Sequence, residues 1–381
     1  MNGIRTSGAD DRRWKLLALP LAVLAASCPG SIPDDDGFAE TVSALSGPGG
    51  YFDTDNLISN ERSYLHAISD LRAAGVRGGA YLGVGPGQNF SYIAQIDPEL
   101  AVIADIRRDN VLQHLIYKAL FEAAPGRLEF LALLTGRPVP DDAVAWRTAP
   151  LDSVLAVLDR TPPTEGSRER ARRLVRDAVS GFGFTLQPGD LETIDRFQAE
   201  FIREGLELRF RSHGRAPQFY YPTFRELLTE ADREGGRASY VASHDRYDRV
   251  RTLQVDDRVI PVVADLGREG DLDAVASYLR DRGVEVTAFY TSNVEFYLYG
   301  GRSFGRWIEN LRRLPLAPGA VLIKSFFPGG YRGSHPAQVP GYYSTQVVQR
   351  AAGLLEGWDA GRYRDYWSIV TEDLVGRTAV P

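Results

Sequence analysis

Between Ala80 and Ala94 the chain reads AYLGVGPGQNFSYIA: an apolar run, three glycines at alternate positions, then an apolar periodic segment. A strand that ends in glycines and feeds a helix gathers backbone N–H groups and the positive helix end at one point. In an open α/β sheet that point lies at the carboxyl edge, where such sheets bind ligands. Gly83, Gly85 and Gly87 supply the turn, and Gln88 and Asn89 open the helix behind it. Asp105 ends the next apolar run, about twenty residues on, where an acid holds ribose hydroxyls. Asp265 ends a third such run, VIPVVADL. The pattern G-x-G-x-G departs from the dinucleotide fingerprint G-x-G-x-x-G/A, because its sixth position is Gln88. The bland alternative is that the glycines serve close helix–sheet packing and the acids cap the helices that follow.

Other residues offer acid–base chemistry. YTSNVEFY presents Tyr290, Asn293 and Glu295. Asn293 suits the orientation of a substrate amide or hydroxyl, and Glu295 suits a general base. Alternatively Asn293 caps the next element and Glu295 is solvated. FDTDNLISNE packs Asp53, Asp55, Asn56, Asn60 and Glu61 into ten residues. Their spacing is too irregular for a calcium loop. They read as a lid over the pocket or as a polar helix entry. Arg107 and Arg108 read as a solvated face or an ion pair with Asp109, His114 as a hydrogen-bonded core histidine, and QFYYPTF as core packing or the mouth of a pocket.

The elements that must position these residues follow from periodicity. SNERSYLHAISDLRAAG predicts a helix with Ser59 as N-cap and Gly75 as stop. GAYLGVG, ELAVIADI, RVIPVVADL, EVTAFYTSN and GAVLIKSFF predict strands; FSYIAQI, NVLQHLIYKALFEAA, GDLDAVASYLRDRG and FGRWIENLRRL predict helices. Residues 126–236 break this alternation and read as a helical insertion after the second strand. STQVVQRAAGLLEGWDAGRYRDYWSIV reads as a helix followed by a closing element. The whole predicts an α/β fold, a doubly wound and mostly parallel sheet with helices on both faces, over residues 51–381.

FDTDNLISNE, YLGVGPGQNFSYIA, DIRRDN, YKALFE and VTAFYTSNVEFYL together resemble an uncharacterised bacterial family with a class I S-adenosylmethionine-dependent methyltransferase-like, Rossmann-like fold. The resemblance spans residues 50–325 and is specific for the family rather than for an activity. It implies S-adenosylmethionine as cofactor, held by Gly83, Gly85, Gly87, Gln88, Asn89, Asp105 and, near the adenine, Asp265. It places Tyr290, Asn293 and Glu295 facing the methyl group, with an unknown acceptor. One departure stands out: Tyr81 sits two residues before Gly83, where methyltransferases usually carry an acid.

Composition bounds the rest. The chain has 381 residues, 44% hydrophobic and 25% charged, with net charge −6. No basic stripe with interleaved aromatics is present, which speaks against a nucleic-acid partner. A single cysteine excludes an intramolecular disulfide and a cysteine-based zinc site, and the five histidines form no HxxxH or HExxH pair. RRWKLLALPLAVLAASCPG reads as a signal peptide over residues 1–28, with a lipobox-like end that presents Cys28 for lipidation. Leu24 is displaced by one from the usual leucine position, and Asp11 and Lys15 depart from a twin-arginine signal. Residues 29–50 read as a linker. The expected location is the bacterial cell envelope, with lipid on Cys28 as the only membrane anchor; a misassigned start codon would make it cytoplasmic.

Export conflicts with S-adenosylmethionine, which is not expected outside the cytoplasm. Two functions therefore stand beside each other. One is a methyltransferase-like enzyme. The other is a non-catalytic, lipid-anchored envelope protein that binds another small molecule or a protein partner. An NAD(P)-dependent oxidoreductase is disfavoured by the glycine spacing.

Overall fold

The structure, a computed structural model, describes residues 37–329 and 334–375. The expected export signal, with Arg12, Arg13 and Cys28, lies outside the described residues. Helix α1 (Phe38–Leu45) buries Thr41, Val42 and Leu45. The segment after it is stitched to the sheet: the Val263 N–H donates to Ser46 Oγ, Gly47 N–H to the Val263 carbonyl and Gly50 N–H to the Ile106 carbonyl. Residues 38–50, read from sequence as linker, are thus part of the fold.

The predicted helix starting at Ser59 is shorter than expected. Arg62–His66 forms a 3-10 turn, and α2 (Ala67–Ala73) follows. Ser59 Oγ accepts the Glu61 N–H instead of capping a helix. Glu61 turns inward at φ −100°, ψ 85°, and that breaks the helix before it can start.

From there strand and helix alternate. β1 (Ala80–Val84), α3 (Asn89–Ile96), β2 (Leu100–Asp105) and α4 (Arg108–Ala123) come first. The insertion follows as α5 (Arg127–Leu134), α6 (Leu151–Arg160), α7 (Glu165–Gly181), α8 (Asp190–Glu204) and α9 (Phe224–Thr229). α7 and α8 pack on α4 through single apolar faces, Ala171, Val175 and Val179 on one and Ile194, Phe197 and Phe201 on the other. α10 (His244–Val255) leads into β3 (Val259–Val263), and α11 (Asp273–Asp281) into β4 (Val286–Ser292). Then come α12 (Val294–Leu298), α13 (Arg302–Arg313), β5 (Leu316–Phe326), β6 (Thr345–Arg350), α14 (Ala351–Asp359) and α15 (Tyr366–Thr371).

The six strands form one sheet in the order β3-β2-β1-β4-β5-β6. β1 to β5 are mutually parallel, and β6 runs antiparallel to β5. Flanked by helices, this is the α/β architecture the alternation predicts, compatible with a Rossmann-like fold. β1 and β3 are buried at every position, which is why they read as continuous apolar runs. One element differs from the sequence reading. TQVVQR is the reversed strand β6, and the helix begins only at Ala351. Strand order reverses between β1 and β4, so the carboxyl ends of those two strands flank the crevice where such sheets take ligands.

Candidate functional site

The glycine turn is clamped from inside. The Asn89 amide donates to the carbonyls of Val84, Gly85 and Pro86, and its Oδ1 accepts the Tyr81 hydroxyl at 2.7 Å. A Cβ on Gly83 would overlap Asn89 Oδ1 and stand 2.8 Å from the Tyr81 hydroxyl, so that position needs glycine. Gly85 sits at φ +80°. Its carbonyl meets His114 Nε2 at 3.0 Å. Burial pushes the His114 pKa down to about 4, so the neutral ring donates that bond. Gly87 packs near Phe90 and Tyr117. Gly83, Gly87 and Asn89 shape the turn without lining the cavity in front of it. Gly85 and Gln88 do line it.

That cavity, of about 330 Å³, opens at the carboxyl ends of the strands. Asp105, Asp265 and Asn293 line it with Gly85 and Gln88, and so does Glu61 from the segment before the sheet. Six residues spread over more than two hundred positions thus meet where the strand order predicts.

Asp105 does not face the cavity alone. Arg107 donates to Asp105 Oδ1 from its backbone N–H (2.9 Å) and Nε (3.0 Å), and to Oδ2 from Nη2 (2.8 Å). Its Nη1 reaches the carbonyls of Thr54 and Asp55, both at 2.7 Å. A nearly buried carboxylate requires a partner, and Arg107 supplies it while pinning the entering chain. The expected pairing of this arginine pair with Asp109 is not formed. Arg108 bonds Asp190, and Asp109 lies 3.6 Å from Arg196. Asp265 Oδ1 accepts the Gly267 N–H at 2.9 Å, which fixes the turn after β3.

The end of β4 carries a polar network that the sequence did not reveal. Glu61 is buried and accepts from the Tyr290 hydroxyl (2.7 Å), Gln346 Nε2 (3.1 Å) and Ser292 Oγ. Burial raises its pKa above the ordinary carboxylate value, and the four hydrogen-bonding groups Ser292, Ser325, Tyr290 and Gln346 oppose that rise. Ser292 has φ +54°, an uncommon conformation for a residue with a Cβ, at the cavity wall. Its Oγ is 3.3 Å from Asn293 Oδ1. Tyr290 is fully buried behind this pair, with its pKa pushed up by burial and by Glu61.

Glu295 is elsewhere. It is buried, accepts the Thr291 hydroxyl at 3.0 Å and lies 3.5 Å from Lys324 Nζ, outside the cavity lining. The acid aimed at the cavity is Glu61, and the base expected at Glu295 is a buried ion-pair partner. The sequence signal for Glu61 was weak: one acid among five polar residues before an apolar helix. The aromatic segment divides. Tyr220 and Tyr221 line the cavity, Phe224 joins the core, and Phe219 is 92% exposed.

The family described as Domain of unknown function (DUF7790) matches residues 57–144 and 198–365, more than half of the chain, and the chain belongs to it. The stretch between the two matches holds α6, α7 and the first part of α8, whereas Glu61, Gln88, Asp105, Asp265 and Ser292 fall inside them. No curated protein matches the chain.

Proposed function

We propose that this member of the DUF7790 family binds S-adenosylmethionine in the cavity at the carboxyl edge of the sheet and is a methyltransferase for a small-molecule acceptor. One observation carries the reading: Gly85, Gln88, Asp105 and Asp265, selected by spacing, line a single cavity with Asn293. The residues fit the group. Gln88 Oε1 is buried without a hydrogen-bond partner, an unused acceptor for an amino group. Asp105 Oδ2 accepts only one bond from Arg107, which leaves it an acceptor site for a ribose hydroxyl. Asp265 lines the same wall and would face the adenine. When bound, the cofactor supplies an electrophilic methyl group. The protein's part is positioning, exclusion of water and removal of an acceptor proton where the acceptor has one. The reversed β6 weighs against a dinucleotide site, whose two βαβαβ halves form a parallel sheet.

A second reading keeps the cavity and drops the chemistry: a lipid-anchored envelope protein, with lipid on Cys28, that binds another small molecule. Two observations favour it. Arg107 already occupies most of Asp105, and Tyr81 is bonded to Asn89 where an acid is usual. Thermal unfolding of the purified full-length chain separates the two. S-adenosylmethionine and S-adenosylhomocysteine should raise the midpoint, NAD(P) should not, and Asp105→Ala should abolish the rise. No response to either sulfur compound would refute the enzyme reading.

A further inference from the structure

Beyond the residues assigned to the cofactor, the same cavity has further walls with a different chemistry. These walls are aromatic: Phe52, Phe210, Tyr221, Tyr297, Phe327 and Tyr343. Tyr343 stacks on Tyr220 with centroids 3.7 Å apart and planes 14° apart, and Phe52 meets Tyr297 edge-on at 5.3 Å. Such surfaces take a flat ring at small entropic cost. Tyr220 and Tyr343 also line an outer groove with Arg209 and Pro222, so the stacked pair stands between that groove and the inner cavity.

Glu61, Ser292 and Asn293 line the same cavity, with Asn293 hydrogen-bonded to Tyr297 of the aromatic wall. Among the described residues, the arginines at the cavity wall are engaged: Arg107 by Asp105 and Arg215 by Asp53 at 2.9 Å. A carboxylate in the cavity lining disfavours an anionic ligand. A neutral ring with a hydroxyl satisfies both the polar and the aromatic lining.

We propose that the aromatic wall of the cavity binds a small aromatic hydroxyl compound and that its hydroxyl proton passes through Ser292 Oγ to Glu61. The acceptor O–H bond breaks and its electron pair stays on the acceptor oxygen. Ser292 Oγ takes that proton as its own hydroxyl proton moves to Glu61 Oε1. No other reactant is needed for this step. Burial disposes Glu61 to hold a proton, and the positive φ of Ser292 places its hydroxyl between Glu61 and Asn293. Glu61 and Ser292 become the proton-accepting pair of the methyl-transfer reading, and the assignment rests on that reading for the fate of the oxygen. Ring binding and proton transfer do not require the cofactor.

The test therefore omits it. 7-Hydroxycoumarin, whose absorption moves to longer wavelength on losing its hydroxyl proton, is titrated into the purified full-length chain at a series of pH values from about 5 to about 7, all below the free compound's own transition, so that the series runs toward the ionised form of Glu61. Saturable binding with a red-shifted band is expected. Glu61→Gln should bind within a few-fold and lose the red shift, Ser292→Ala should lose it too, and Tyr343→Ala should weaken binding about ten-fold. Absence of saturable binding at about 1 mM overturns the proposal, as does a bound spectrum identical to the neutral compound. If Glu61→Gln does not fold, Ser292→Ala decides alone: an undiminished red shift there overturns the relay. Failure of the cofactor titration alone would sink the methyl-transfer reading and leave this binding result standing.

Discussion

At the scale of single residues, function and packing are close neighbours. Gly83 and Gly85 look equivalent in a spaced glycine motif, yet they answer to different constraints. A Cβ at Gly83 would enter the space of Asn89, which is tied to three carbonyls and has no room to withdraw. Gly83→Ala should cost about 2–3 kcal/mol in urea denaturation, the upper part of the range for forced overpacking, because Asn89 cannot withdraw. Gly85→Ala meets Asn56 Nδ2 at 3.0 Å and pays the positive φ, about 1 kcal/mol. Equal costs for the two variants would contradict the assignment of Gly83 to packing.

Glu61 carries a pH signature. Its folded pKa is raised above 4.5 by burial, so the folded state holds the proton more tightly than the unfolded chain does. Its contribution to stability is complete below that unfolded value and is lost as pH rises through the folded one. His66 and His114, each lowered to about 4 by burial, act in the opposite sense and cost stability as pH falls from 6.5. The difference between Glu61→Gln and wild type isolates the glutamate. The melting temperature of the variant relative to wild type should rise as the pH is raised above 4.5. A difference independent of pH would show that Glu61 does not titrate differently on folding.

At the scale of elements, legibility followed burial. β1 to β4 and the second part of β5 were readable because they are mostly buried and their runs are nearly all apolar. β6 was not, because Gln346 and Gln349 interrupt it. Both are buried and bonded, Gln346 to Glu61 and Ser325, Gln349 to Lys324. Sequence shows polar residues there but not the partners that make burial affordable. α1 was missed for a related reason: a short amphipathic segment beside Pro and Gly reads as a linker until the sheet edge it covers is known. Positions at the strand ends were legible, as with Asp105 and Asp265, whereas the state of each acid was not. The partner of Asp105 lies two residues away, yet the same arginine also holds Thr54 and Asp55, a long-range tie with no local signal. Arg107→Met should therefore destabilise by about 3 kcal/mol, since it strands a nearly buried carboxylate. Adding Asp105→Asn should recover at least about half of that loss. No recovery in chemical denaturation would mean that Arg107 matters only through the entering chain.

At the scale of the whole molecule, one sheet edge gathers the turn after β1, the ends of β2 and β3, the polar knot after β4 and an aromatic wall from the insertion and the C-terminal part. The insertion breaks the strand–helix alternation and then returns Tyr220 and Tyr221 to the cavity, so it belongs to the site as well as to the packing around α4. Glu61 and Ser292 line this cavity together with the glycine-turn residues and the aromatic wall, and the proposed function requires an adenosyl site there. Titration calorimetry of the full-length chain with S-adenosylhomocysteine tests this most directly. One-site binding is predicted, weakened at least about ten-fold by Asp105→Ala. No binding heat, or binding unchanged by Asp105→Ala, would contradict it.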